Sequence, residues 1–147
     1  MPPKPFRFAT IELLPYPALG EFVIVGVAAV DDTGRLEFKT LNANRTTRLK
    51  QFFPEIERTV FTTTLRDIRE EIAAVGKHFP PADLFAENDA IGSQLFPALT
   101  AAREGMIRIN ARGTGVTEDM TQWVSKAFDR YVCRISASVL SLAPFLK

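Results

Sequence analysis

Apolar side chains crowd the first part of the chain at spacings of two. Residues 6–14 are rich in Phe and Ile and stop at Pro15-Tyr16-Pro17, where proline lacks the donor a ladder needs, so they predict a strand. Residues 22–30 are apolar on both alternating faces, the pattern of a strand covered on both sides and placed inside a sheet. Gly26 within it points to close approach by neighbouring backbone. Asp31-Asp32-Thr33-Gly34 has the composition of a tight turn, and residues 35–41 then put Leu36 and Phe38 on one face opposite Glu37 and Lys39. The expectation is a three-stranded antiparallel meander.

The period then changes. Leu65, Ile68, Ile72, Val75 and Phe79 recur at steps of three and four, with charged residues between them, which predicts an amphipathic helix from near Glu55 to just before Pro80-Pro81. A shorter helix precedes it, because Leu49, Phe52 and Phe53 share a face and Pro54 ends the run. Proline is tolerated in a first helical turn, so a short helix is placed over 97–104, closed by Gly105. Residues 106–110 alternate as a fourth strand, and Gly113-Thr114-Gly115 punctuates the chain. A last helix carries Met120, Trp123, Val124, Ala127, Phe128, Tyr131, Val132 and Ile135 in one stripe, with Thr117 as its cap and Trp123 as a core anchor. Together these predict one α+β domain over 1–147: an antiparallel sheet of about four strands, the N-terminal meander plus one later strand, packed with amphipathic helices. Residues 1–5 are expected to be flexible. Residues 136–147 form an apolar tail expected to pack on its own domain or, as a homodimer, on a second copy.

Composition narrows the function. Lysine and arginine total 18 against 17 aspartates and glutamates, a net charge of +1, so no global field draws the chain to nucleic acid or an anionic membrane. The single cysteine, Cys133, cannot form an internal disulfide, and the N-terminus lacks a signal-peptide core; both point to a reducing, cytoplasmic setting. The longest mainly apolar stretch is under half the roughly 20 residues a spanning helix needs.

Candidate chemistry is sparse. His78 is the only histidine, so neither a histidine-dependent triad nor a two-histidine metal site can be assembled within one chain. Asp31-Asp32 reads as turn chemistry and Gly113-Thr114-Gly115 as a poor phosphate cradle, because Glu118 and Asp119 already place negative charge there. No catalytic set, metal site or cofactor is predicted. Four residues stand out as recognition candidates. Glu21 opens an otherwise apolar strand, either reaching water or pairing in the interior with an arginine such as Arg48 or Arg130. Arg45 and Arg48, with Lys50, form the densest basic cluster, which reads as a solvated helix face or as a patch touching a nucleic-acid backbone or an acidic partner surface.

The segment Gly20-Glu21-Phe22-Val23-Ile24-Val25-Gly26-Val27 after a proline-ended strand, the intervening Arg48-Leu49 and the closing Phe128-Asp129-Arg130-Tyr131-Val132 resemble the bacterial family catalogued as domain of unknown function 3037, over roughly 8–132. The resemblance implies no chemistry, but its members are often encoded beside kinase-like proteins related to toxin–antitoxin kinases, which implies a protein partner of that kind. The expected function is thus a non-enzymatic protein-interaction or regulatory protein. The alternatives are a small enzyme acting on nucleic acid or nucleotide through Glu21 and arginines and, more weakly, nucleic-acid binding through residues 45–50.

Overall fold

A computed structural model describes residues 3–42, 46–78, 89–102 and 105–134 of the chain. Its sheet is four-stranded and antiparallel, in the order β3-β2-β1-β4, with β1 Lys4–Leu13, β2 Val23–Asp31, β3 Leu36–Thr40 and β4 Ile107–Thr117. The helices are α1 Thr47–Phe52, α2 Arg58–His78, α3 Asp89–Thr100 and α4 Met120–Phe128, and α4 runs on into a π-helical turn, Asp129–Arg134. The fold is α+β, a meander with one later strand added beside β1.

Cross-strand partners share a face, so the register divides the sheet. Ala9, Ile11 and Leu13 pair with Ala28, Gly26 and Val23 on one side and with Ala111, Ile109 and Ile107 on the other. This face meets Phe61, Leu65, Ile68 and Ile72 of α2 and Leu95 and Leu99 of α3 in one buried core. The opposite face carries Phe6, Phe8, Thr10 and Glu12. At its first half Phe6 and Phe8 pack under α4, where Trp123 sits 4.4 Å and 4.9 Å from their ring centres and Met120 and Val124 close the cluster. Val25 and Val27 are fully buried, as an interior strand requires, and Ile24 is half-buried.

Gly26 is where the backbone crowding is tightest: a Cβ there would lie 2.7 Å from the carbonyl oxygen of Lys39 on β3. The β2–β3 turn follows its side-chain chemistry too. Asp31 Oδ1 accepts from the Thr33 and Arg35 backbone N–H groups and the Thr33 hydroxyl, and Gly34 takes the left-handed conformation at φ 84°.

Several boundaries differ from expectation. Lys4 and Pro5 belong to β1 and pair with Thr117 and Val116 of β4, so the flexible start does not reach them. Proline fits at the beginning of a strand, where its missing donor costs little, and its carbonyl accepts from Asp32. α2 begins three residues later than Glu55, because Lys50 Nζ donates to the Pro54 and Ile56 carbonyls and holds the intervening segment as a turn. Pro97 lies inside α3 and not in its first turn; the helix forms around it because Leu95, Phe96 and Leu99 are buried, and it ends three residues later.

The largest departure is β4, which continues through Gly113 and Gly115 where a break was expected. These glycines lie under aromatic rings: a Cβ on Gly115 would sit 2.6 Å from the Phe6 ring. They are places of close approach, not turns. Asp119, not Thr117, caps α4, accepting from the Gln122 N–H; Thr117 Oγ1 instead accepts from the Asp119 N–H. Trp123 is half-buried, a lid over Phe6 and Phe8 and not an enclosed anchor. Ile135 and the apolar tail lie outside the described residues.

Candidate functional site

The second half of the α4-side face is polar. Glu12 is fully buried in the middle of β1, a position where an unpaired carboxylate would be prohibitively costly. The neighbouring strand supplies what it needs. Glu12 pairs in register with Arg108 and Thr10 with Asn110, so all four side chains project from one face. A β-bulge between the partners of Phe8 and Ala9 inserts Arg112 as an extra residue in β4 and aims its side chain at the same point.

Arg108 puts Nε at 2.7 Å and Nη2 at 2.6 Å from Oε1. Arg112 Nη2 reaches Oε2 at 2.7 Å, and its Nε donates at 2.9 Å to the Thr10 hydroxyl, which in turn donates at 2.8 Å to Oε2. Asn110 Nδ2 lies 3.4 Å from the same oxygen. Both carboxylate oxygens are therefore satisfied by charge-assisted bonds.

One negative charge holds two positive ones, so the cluster carries a net single positive charge. Its outer boundary is open: the Arg108 and Arg112 side chains remain 47% and 35% exposed. Beside them Phe22, 42% exposed, lies with its ring centre 5.1 Å from the Arg108 guanidinium carbon. The 3₁₀ turn Pro17–Leu19, in the same β1–β2 connection, leaves Leu19 exposed. Fixed arginines beside an exposed aromatic ring are what interface centres are made of. Chemically the arrangement can hold an anion; the bound carboxylate it already has is a braced part of the fold.

The residues singled out from the sequence do not converge there. Glu21 is exposed just ahead of β2, which excludes the buried ion pair; its charge helps raise the pKa of the nearby Tyr16 phenol. Arg130 is exposed on the π-helical turn, Arg45 lies outside the described residues, and the Arg48 side chain is likewise undescribed. Lys50 donates to two backbone carbonyls, those of Pro54 and Ile56. The side chains of His78 and Cys133 are also outside the described ones. Glu12, Arg108 and Arg112 were missed because Glu12 is embedded in an apolar run. The signal was a charge in a strand interior, matched by arginines in a second strand read as ending too early.

The Tyr16–Glu55 pair fastens the β1–β2 connection to the α1–α2 turn at 2.7 Å. The hydrogen bond to Glu55 holds the Tyr16 phenol above its ordinary value, and the same bond, followed by a backbone hydrogen bond, holds the Glu55 carboxyl below its own. A small cleft at the other end of the face is lined by Lys4, Asp31, Arg35 and Glu118, whose charges balance. Among the described residues no cluster of histidine, cysteine, aspartate and glutamate could hold a metal ion, and no described helix is long and apolar enough to cross a membrane.

Residues 8–132 match the model of a family described as protein of unknown function (DUF3037), a span that contains the whole of the Glu12–Arg108–Arg112 cluster. No curated protein and no solved structure matches the chain.

Proposed function

We propose that this chain, which belongs to the DUF3037 family, is a non-enzymatic interaction or regulatory protein of bacterial type that recognises an acidic group on a partner protein in the cytoplasm. The observation that carries this reading is the unequal charge of the cluster on β1 and β4. Two guanidiniums are braced on one buried carboxylate and both remain partly exposed. Bracing lowers the entropy lost when such a side chain binds, which favours recognition. The neighbourhood implied by the family resemblance makes a kinase-like protein the partner to look for. Self-association through the apolar segment after Ser138 belongs to the same proposal and is a separate contact.

The test is affinity isolation from the native cells with two baits, the parent protein and Arg112→Gln. That variant leaves Glu12 paired with Arg108 and removes the excess charge. Recovery of a kinase-like protein in stoichiometric amount with the parent, and its loss with the variant, is the expected result. Equal recovery on both baits, or none on either, removes the reading.

A further inference from the structure

Among the described residues β4 is an edge strand. Its inner side pairs with β1 from Ile107 to Thr117, and among the described residues its outer side pairs with nothing. In an antiparallel ladder alternate residues direct N–H and C=O outward, so this edge presents a row of backbone donors and acceptors. It is more than twice as long as the other edge strand, β3. The two faces beside the edge differ in chemistry. Arg108 and Arg112 lie on the α4-side face, while Val116, 66% exposed, pairs with Pro5 and so lies on the other.

Building on the acidic-partner reading, we propose that the open edge of β4 receives an extended segment of the partner, which adds as a fifth strand. Side chains of a docked strand alternate between the faces, so acidic residues would meet Arg108 and Arg112 while apolar ones in between would cover Val116. Charge complementarity selects this occupant over a second copy of the chain. A twofold pairing of β4 with itself centred on Asn110 sets Arg108 of each copy opposite Arg112 of the other, and like charges directly opposite are destabilising. Pairings centred further along bring at most one guanidinium of each copy opposite an acid, Glu118 or Asp119, and both of these lie past the end of β4.

The probe is a short capped peptide alternating glutamate with valine, fluorescently labelled and titrated with the full-length protein, beside a peptide with glutamine for glutamate. Two further peptides carry N-methyl groups on either the glutamates or the valines, each removing the donors along one edge of the peptide strand. The glutamate peptide is expected to bind about tenfold more tightly than the glutamine peptide and to lose about tenfold against Arg112→Gln. One N-methylated peptide should bind like its parent and the other at least about tenfold more weakly, because only one edge faces β4. If the glutamate peptide binds no better than the glutamine peptide, the acidic-partner reading falls and the strand proposal falls with it. If glutamate and Arg112 matter but both N-methylated peptides bind like the parent, the acidic reading stands and strand addition is overturned. Equal weakening of both N-methylated peptides also overturns it, since a single open edge cannot use both sides of the peptide.

Discussion

Removing the Glu12 carboxylate leaves Arg108, Arg112 and the Thr10 hydroxyl without the acceptor around which they are arranged. Both guanidiniums can turn toward water, so the loss falls at the low end for breaking an ion pair, and Glu12→Ala is expected to cost about 3 kcal/mol in urea unfolding. Arg112→Gln keeps the Arg108 pair and should cost only about 1–2 kcal/mol. A larger loss for Arg112→Gln than for Glu12→Ala would show that Glu12 is not the centre of the cluster. At the Tyr16–Glu55 pair the signs are opposite. The depressed Glu55 value means a contribution present above its unfolded value and lost as pH falls through the folded one. The raised Tyr16 value means a contribution held at lower pH and lost as pH rises through the folded value. In Tyr16→Phe the Glu55 titration followed by NMR should move up toward the ordinary carboxylate range; an unmoved curve would assign the depression to the backbone bond.

The elements record where close approach decides the structure. Gly26→Ala drives a methyl against the Lys39 carbonyl oxygen, an atom fixed by the β2–β3 ladder, and Gly115→Ala drives one against a Phe6 ring already held by Trp123. Each should cost about 1–3 kcal/mol, read as a lowered melting temperature, while Gly113→Ala, which meets Phe8 at 3.4 Å, should cost less. Trp123→Ala should cost about 3 kcal/mol, because a half-buried indole loses less than an enclosed one. The Gly26 contact was legible in the sequence, since glycine in an unbroken apolar strand has few other uses. Gly113 and Gly115 were not, because a glycine pair reads as a turn until the rings beneath it are known. The same mistake hid Arg112, whose position depends on a bulge, and a bulge is a property of two strands in register. Glu12 stayed hidden for a related reason: alternation identifies a face but not which part of it a helix covers.

At the scale of the molecule, β1 is paired along both edges and β2 along one full edge, whereas β3 is a short border. Amide hydrogen exchange should therefore be slowest in the middle of β1 and faster in β3, and the reverse order would contradict the strand order. The meander and the two principal helices could be read from periodicity, since each is a local pattern. The placement of β4 beside β1 could not, because it joins segments that nothing in the intervening sequence connects.

That placement bears on how the protein is made. β1 leaves the ribosome before its partner on one side, β4, which is synthesised 96 positions later, as the Arg108–Glu12 bond shows. Until then the nascent meander carries an unpaired edge and a half-built ion cluster, with Glu12 waiting for both of its arginines. Folding can close only after β4 has emerged, so slow elongation through the helical segments between β3 and β4 prolongs a state open to edge-to-edge association between neighbouring nascent chains.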